Sequence, residues 1–194
     1  MGRPAQGKGD SNVVQAASRF ALVADGPVER YRTAIARTSL STPVKALLAA
    51  GLLAPGVSFL DYGCGRGTDL RFLRDQHGIE GEGWDPHWRP EGDRSPADVV
   101  NLGFVLNVIE DPKERRETLL DAFRLTRKAL AVAALIPGKD TQGRPFADGV
   151  LTRSRTFQRN FRTGELEAFV REVLGRRADV KRAGTNLYFV TPRG

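Results

Sequence analysis

The residues best suited to chemistry are two acids and three glycines. Asp61 is followed by glycines at alternate positions, Gly63, Gly65 and Gly67, and Asp85 comes 18 residues after the last glycine. Glycines at a strand-to-helix turn adopt backbone conformations closed to other residues and let a ligand approach the main chain. An acid at the end of the neighbouring strand can accept hydrogen bonds from both hydroxyls of a ribose. The spacing therefore predicts a nucleoside-binding site, and a simple turn acid is the alternative for Asp85.

The segments around these residues are predicted to be two neighbouring strands joined by a helix. The short apolar run 57–60 follows a Pro-Gly pair and ends at the first acid, which is typical of a buried parallel strand. Residues 68–76 have helical character, and residues 79–85 are predicted to be a second strand that ends at the second acid. Because ligands bind beyond the carboxyl ends of parallel strands, the acids and glycines are expected to share one site.

The whole chain predicts an α/β fold with a Rossmann-like, mostly parallel sheet and a C-terminal antiparallel hairpin. The first predicted element after residue 40 is a helix that begins at Pro43 and is ended by Gly51 or by Pro55-Gly56. The two strands and the helix above follow it. The later elements are a strand from 97, a helix over 112–128, a strand over 129–136, a helix over 163–174, and a hairpin of 178–181 with 187–190. Residues 1–26 are predicted to be a flexible segment, and residues 27–194 to form a single domain.

Two connections in this pattern have unusual lengths. Only eleven residues lie between Asp85 and Ala97. A parallel crossover with its own strand and helix needs more residues than that, so the third strand-helix unit usual in this kind of sheet is predicted to be missing. Residues 137–162 are predicted to be a long irregular connection, and loops of this length are commonly functional.

The composition favours a polyanionic partner and excludes some kinds of site. The net charge is +7 and is carried mostly by arginine, which favours phosphate groups, although genome composition is an alternative source of arginine. Lys113, Arg115 and Arg116 are expected to be solvated. The single cysteine, Cys64, excludes a disulfide framework and a metal site built from several thiolates, and no metal is expected. Without a secretory signal or a run of 18 apolar residues, a cytoplasmic protein that does not enter a membrane is expected.

The pattern D-x-G-x-G-x-G after a strand resembles the first motif of the class I S-adenosylmethionine (SAM) methyltransferases. In that family the glycine turn wraps the amino-acid and ribose portion of SAM, so the resemblance implies SAM as the cofactor. The residues expected to contact it are Asp61, Gly63, Cys64, Gly65, Gly67, Trp84, Asp85, Asn101 and Leu102. Small size is the expected reason for Cys64, and Trp84 is expected to pack against the adenine or the first helix.

Further stretches resemble a narrower family, the DNA phosphorothioation-associated methyltransferases. The most distinctive of them are Gly83-Trp-Asp-Pro86, Asn107-Val-Ile-Glu-Asp-Pro112 and Thr156-Phe-Gln158. The resemblance extends over roughly residues 30–190. It implies a methyltransferase fold and a link to DNA modification.

Two residues are candidates for a catalytic role. Asn101 could orient an amine, and Phe104 could stack on a base as part of the substrate site. The alternative is that Asn101 satisfies backbone groups and that Phe104 belongs to the core. DNA amine methyltransferases usually carry Pro-Pro at this point of the chain, and here it is absent. His87 could act as a general base, and a surface histidine in a proline-flanked loop is its alternative.

The predicted loop 148–162 has the composition of a nucleic-acid contact. Arg153, Arg155 and Arg159 lie in it with no acid between them, and Phe157 is interleaved with them. Arginines interleaved with aromatic residues are typical of loops that contact phosphates and stack on bases. The sequence therefore predicts that this loop binds substrate, and a solvated basic loop is the alternative.

These features favour one function over two others. The favoured function is a SAM-dependent methyltransferase linked to DNA modification, which methylates nucleic acid or an associated small molecule. The first alternative is a non-catalytic domain of the same fold that binds nucleic acid or assembles with other components. The second is a SAM-dependent enzyme that acts on a small molecule unrelated to DNA modification. No pattern indicates the oligomeric state.

Overall fold

The computed structural model describes residues 27–136 and 143–194, so the predicted flexible segment 1–26 lies outside the described residues. The main sheet consists of β1 (Phe59–Tyr62), β2 (Glu82–Trp84), β3 (Ala97–Gly103), β4 (Thr126–Ala133), β8 (Ala178–Gly184) and β9 (Leu187–Pro192). A smaller sheet consists of β5 (Gly143–Phe146), β6 (Gly149–Thr152) and β7 (Phe157–Gln158). The helices are α1 (Thr42–Ala49), α2 (Thr68–His77), α3 (Pro112–Arg124) and α4 (Glu165–Leu174).

The main sheet has the strand order β2-β1-β3-β4-β9-β8. Its first four strands pair in parallel, whereas β9 is antiparallel to both β4 and β8. Parallel neighbours need crossover connections, which α2 and α3 provide. The predicted fold class, a mostly parallel α/β sheet that ends in an antiparallel hairpin, is confirmed.

The third strand-helix unit is missing, as the short connection predicts. β2 pairs only with β1 and forms one edge of the sheet. Residues 85–96, all of them described, contain turns and one isolated bridge between Asp85 and Arg89 instead of a further strand and helix. The carboxyl end of β1 is followed by the turn of residues 63–67, and the carboxyl end of β2 is followed by the turns of residues 85–96.

Two hydrophobic clusters hold the helices against the two faces of the sheet. Leu102 of β3 packs with Leu119 of α3 and Val170 of α4. Val99 of the same strand packs with Leu73 of α2 in the other cluster. Successive residues of a strand point to opposite faces, so β3 contributes to both clusters and is buried between helices.

Several element boundaries differ from the predicted ones. β1 begins at Phe59 because Val57 lies in a turn, in which its N–H donates to the Ala54 carbonyl at 3.1 Å. α3 ends at Arg124, and β4 begins at Thr126 and runs to Ala133 rather than over 129–136. The cap of α4 is Gly164 in a left-handed conformation rather than Thr163. Apolar runs extend beyond elements, so they place boundaries only to within a few residues.

The predicted irregular connection 137–162 is partly a sheet, which corrects that prediction. Its described part, 143–162, contains the antiparallel strands β5, β6 and β7. These strands have only two to four residues each, too few for a clear alternation of polar and apolar positions. Leu151 and Phe157 are buried, with Phe157 fully so.

Arg115, predicted to be solvated, is a fully buried side chain that joins α3 to the smaller sheet. Its guanidinium donates to the Asp148 carboxylate at 2.7 and 3.0 Å and to the Ile109 carbonyl at 3.2 and 2.7 Å. The ring of Phe157 lies 5.9 Å from the guanidinium carbon. The partner acid is 33 residues away in sequence, so the helix pattern alone gives no indication of the pair.

Among the described residues, the helices are all too short or too polar to cross a bilayer.

Candidate active site

A cavity of ≈ 580 Å³ lies at the carboxyl ends of β1, β2 and β3. Its walls come mainly from four segments within 30–37, 62–68, 84–88 and 103–109. The volume falls in the range of ligand sites in proteins. Open α/β sheets bind ligands at this edge, so the cavity lies where the sequence predicts the site.

The glycine turn has the backbone that its sequence predicts. Gly63 and Gly65 have φ angles of 82° and 53°, in the left-handed region that favours glycine. The N–H groups of Gly63 and Cys64 donate to the Trp84 carbonyl at 2.8 and 3.0 Å, which ties the turn to β2. A side chain at position 63 would collide with Val105. The turn therefore depends on glycine for both conformation and space.

Asp85 lies in the cavity wall and holds the turn from the β2 side. Its carboxylate accepts from Gly65 N at 3.0 Å and from His87 N and Trp88 N at 2.9 Å each. A carboxylate has about four lone-pair sites, so it retains capacity for a ribose hydroxyl after these three bonds. Asp85 therefore lines the cavity with acceptor capacity to spare, and its contact with a ribose stays a prediction.

Four of the predicted cofactor contacts, Asp61, Gly67, Asn101 and Leu102, are not among the residues that line the cavity. Asn101 Nδ2 donates to Asp61 Oδ1 at 2.8 Å, and both side chains are buried in the sheet. Leu102 belongs to the core, and Gly67 is the cap of α2. Asn101 does not line the cavity, although its carboxamide lies beside Gly103, which does. The Asn101 side chain therefore donates to a buried carboxylate, and its catalytic role stays a prediction.

The buried Asp61 carboxyl is strongly perturbed. Burial, followed by the Asp69 carboxylate, raises its pKa from 3.8 to about 7, while the Asn101 hydrogen bond and Arg37 oppose the rise. Burial disfavours the charged form because the protein interior solvates an ion poorly. Asp61 therefore titrates close to neutral pH just behind the glycine turn.

Cys64 lines the cavity as an unreactive thiol. Burial, together with the carboxylates of Asp61 and Asp85, raises its pKa to about 12. The nucleophilic form of cysteine is the thiolate, so this thiol stays protonated and inert at neutral pH. Its position agrees with the prediction that small size accounts for it.

Aromatic side chains surround the cavity near His87. The His87 ring stacks on Tyr31 with centroids 4.3 Å apart and meets the edge of Trp88 at 5.0 Å. Trp88 Nε1 donates to the Tyr31 carbonyl at 3.4 Å, and the Arg66 guanidinium lies 4.2 Å from the centroid of the Trp88 ring. His87 is exposed and lines the cavity. Trp84 also lines it and contacts the Tyr62 ring at 4.9 Å.

The segment 27–37 covers one side of the cavity, a feature that the sequence did not indicate. Arg30 donates to Glu110 at 2.8 Å and to both oxygens of Glu114 at 2.5 and 2.7 Å. Arg37 donates to the buried Asp69 at 2.6 Å. The partners of Arg30 are 80 and 84 residues away, so no local pattern could have identified these bonds.

Phe104 lies in the cavity wall with an unusual backbone. Its φ of 63° is in the left-handed region, which is rare for a residue other than glycine. Its N–H donates to the Ala133 carbonyl at 2.8 Å, which holds the turn after β3 against β4. Strained residues of this kind concentrate at functional sites. The prediction of a cavity position for Phe104 agrees with this placement.

The structure separates the residues of the predicted basic loop. Phe157 is fully buried, which corrects its predicted role in stacking on a base. Arg155 is paired with Glu29 at 3.4 Å, and Arg159 is paired with Asp148 at 2.7 Å. Arg153 is exposed in the turn between β6 and β7 and has no partner among the described residues. Of the three arginines, only Arg153 is free to contact a phosphate without breaking an ion pair.

Polar residues that sequence reasoning did not assign to the site complete the wall. Four that lie on its α3 and smaller-sheet side are Asn107, Thr118, Thr156 and Gln158. Three of them occur in the two motifs that resemble the narrower family, Asn107-Val-Ile-Glu-Asp-Pro112 and Thr156-Phe-Gln158. The sequence indicated Asn107 through its motif, and Thr156 and Gln158 through their motif and the predicted substrate loop 148–162, whereas nothing indicated Thr118.

Comparison with protein-family models gives no match, and comparison with curated proteins gives none either. Among solved structures, an O-methyltransferase family protein from Burkholderia thailandensis is similar with a TM-score of 0.52 and 18% identity, over 78% of this chain and 54% of that one. The methyltransferase CcbJ from Streptomyces caelestis has a TM-score of 0.52 and 16% identity, over 86% and 95% of the two chains. A SAM-dependent methyltransferase from Aquifex aeolicus has a TM-score of 0.50 and 18% identity, over 86% and 96%.

The chain spans about half the length of the Burkholderia thailandensis protein and most of the other two. Identities at this level show a shared fold. In this chain, β9 is the antiparallel strand inserted between β4 and β8. The chain therefore has the class I fold of the SAM-dependent methyltransferases.

Proposed function

We propose that this chain is a methyltransferase that binds SAM at the glycine turn. The observation that supports this most strongly is the cavity at the carboxyl ends of β1 and β2, where Gly63, Gly65 and Asp85 meet. The left-handed glycines allow close approach to the amino-acid part of SAM, and Asp85 has lone pairs left for its ribose. Trp84, whose ring carries the Arg94 guanidinium 4.6 Å from its centroid, lines the cavity and is proposed to contact the adenine. SAM would supply a methyl group for in-line displacement, so the protein chiefly has to align an acceptor with it.

Replacing Asp85 with asparagine is expected to weaken the binding of S-adenosylhomocysteine (SAH) by about 10–100-fold. Hydrogen bonds to a charged group contribute about 1.5–3 kcal/mol, and each 1.4 kcal/mol is tenfold in affinity. Titration calorimetry with the parent protein and the variant measures the change. Asp93→Asn is the matched control, because Asp93 lies in the same connection but bonds only Ser95. Equal affinities for the Asp85 and Asp93 variants would contradict the ribose role.

We further propose that the acceptor is a nucleic acid, in a process linked to DNA modification. The net charge of +7 supports a polyanionic partner. The exposed Arg153 and the Arg66–Trp88 pair beside the cavity add a phosphate contact and a stacking surface. The resemblance of the Asn107–Pro112 and Thr156–Gln158 motifs to phosphorothioation-associated methyltransferases supports the link to DNA.

Arg153→Ala is expected to reduce affinity for single-stranded DNA and to lower the slope of log affinity against log salt by about one. The reason is that one phosphate contact releases about one counterion. Fluorescence anisotropy over a salt series measures the slope. Arg127→Ala is the control, since Arg127 is also exposed but lies near the start of β4, at the opposite end of the parallel strands. If the two variants have the same slope, Arg153 does not contact the nucleic acid.

A small-molecule acceptor is the second candidate, and the covered side of the cavity favours it. The segment 27–37 is fastened by Arg30 and Arg37, and it leaves less room for a polymer than an open groove would. This candidate and the first predict different products from the same assay. Labelled SAM incubated with DNA, with RNA and with a small-molecule extract shows which fraction takes up methyl. SAH binding without methyl uptake in any fraction would instead support a non-catalytic nucleic-acid-binding or assembly component.

A further inference from the structure

Asn107 is a buried carboxamide at the cavity with an unpaired polar atom. Its residue is 1% exposed and lines the cavity, and its Oδ1 has no hydrogen-bond partner among the described residues. Its main chain is held in place, because its carbonyl accepts from Arg159 N at 2.8 Å. A buried polar atom without a partner is unfavourable, so it indicates a group that a ligand would satisfy.

The cavity wall beside Asn107 is mainly apolar, and its charged residues are paired. Val105, Val108 and Ile109 are apolar lining residues next to Asn107 in the chain. The charged lining residues Arg30 and Glu114 are paired with each other at 2.5 and 2.7 Å, and Arg30 also donates to Glu110 at 2.8 Å. A charged acceptor would gain no free counter-ion from this pair. The wall therefore favours a neutral acceptor with an apolar face and one polar edge.

We infer that Asn107 orients the methyl acceptor, and that this acceptor is a heterocycle with an amine beside a ring nitrogen, as at an edge of adenine or cytosine. The inference rests on the proposed function and names its substrate class. A carboxamide carries a donor and an acceptor side by side, and asparagine pairs in this way with the amine and ring nitrogen of adenine. Phe104, in the same wall, offers an aromatic ring to the face of the heterocycle.

The transfer step balances without a further reagent. The amine nitrogen forms a bond to the methyl carbon, and the bond from that carbon to sulfur breaks with its electron pair left on sulfur. The nitrogen then loses one proton to water. Asn107 contributes by accepting one amine N–H, which fixes the direction of the nitrogen lone pair.

Nucleosides that differ only in the amine test this role by binding alone. We expect the SAH complex to bind adenosine or cytidine about 10-fold more tightly than the same nucleoside with hydrogen in place of the amine, the scale of a bidentate base contact. Asn107→Leu, which keeps a similar volume, is expected to abolish this preference and to leave SAH affinity unchanged. If Asn107 had only a structural role, its replacement would change the affinities for the two nucleosides by the same factor.

Labelled methyl transfer distinguishes a free nucleoside from a nucleic acid. The probes are adenosine, cytidine, and thymine oligonucleotides carrying one adenine, one cytosine or neither. The inference is supported if labelled methyl is transferred to a probe with an amine-bearing base and if Asn107→Leu lowers this transfer at least about 10-fold. The probe that takes up the methyl group shows whether the acceptor is a free nucleoside or a nucleic acid.

Other outcomes overturn the inference in distinguishable ways. SAH binding by the parent protein with no amine preference overturns the role of Asn107 alone. The role of Asn107 alone is also overturned if methyl is transferred only to acceptors that lack an amine-bearing base. The same holds if the parent protein and Asn107→Leu transfer methyl equally well. A parent protein that does not bind SAH would contradict the proposed function as well.

Discussion

Replacing Arg115 with methionine is expected to lower the free energy of unfolding by about 3 kcal/mol. Removing one partner of a buried ion pair costs about 3–5 kcal/mol, because a charge is left without compensation. The low end applies here, since the remaining Asp148 is 36% exposed and keeps its ion pair with Arg159. The Ile109 carbonyl would also lose both of its donors from Arg115.

Urea unfolding of the parent and the variant measures this loss. For a domain of this size, we expect the melting temperature to fall by about 6–12 °C. Arg116→Met is the matched control, because Arg116 lies on the same helix and forms an ion pair with Glu172. The Arg116 side chain is 44% exposed and the Glu172 side chain is 68% exposed. We therefore expect this variant to lower the free energy of unfolding by less than about 1 kcal/mol. Similar losses for the two arginines would contradict the structural role of Arg115.

The position of Arg115 also connects stability with the site. The pair with Asp148 joins α3 to the smaller sheet, and that sheet brings Thr156 and Gln158 to the cavity wall. Losing the pair therefore loosens the part of the wall next to Asn107. We expect the effect on acceptor binding to exceed the effect on SAH binding, which the same calorimetry would show.

The second large effect is the change of folding stability with pH that we expect from Asp61. The folded state binds the Asp61 proton more tightly than the unfolded chain, with a pKa of about 7 against 3.8. Between about pH 4 and pH 7 the folded protein therefore binds more protons, and its stability falls as pH rises through this window. The full difference corresponds to about 4 kcal/mol, because one pKa unit is about 1.4 kcal/mol.

Asp61→Asn is expected to remove most of this dependence. The amide oxygen can still accept from Asn101, as the Asp61 carboxylate does at 2.8 Å, while the charge that is costly to bury is gone. Denaturant unfolding at pH 5 and at pH 8 measures the slope, which should be steeper in the parent than in the variant. Asp75→Asn, at an exposed acid paired with Arg74, should keep the parent's slope. If Asp61→Asn shows the same dependence of the unfolding free energy on pH as the parent, Asp61 is not the source of that dependence.

The sequence by itself determined the features that depend on short stretches of chain. The strand, the acid and the glycines after it lie within nine residues, 59–67, and they predict both the turn and the edge of the sheet where the cavity is found. The missing unit after Asp85 also follows from the sequence, because eleven residues cannot form a crossover. Local conformation and chain length decide these features, and both can be read directly.

The tertiary structure alone decided which side chains face the cavity and which are buried. Asn101 was expected at the site but pairs with Asp61, 40 residues away, whereas Arg115 was expected in solvent but is buried against Asp148. Phe157 was likewise expected to stack on a base, but its side chain is fully buried. Burial and pairing depend on how separate elements pack against each other, and the energy of a charge or an amide depends on that environment. For this reason the location of the site and its glycine turn were predictable, but the burial and pairing of Asn101, Arg115 and Phe157 were not.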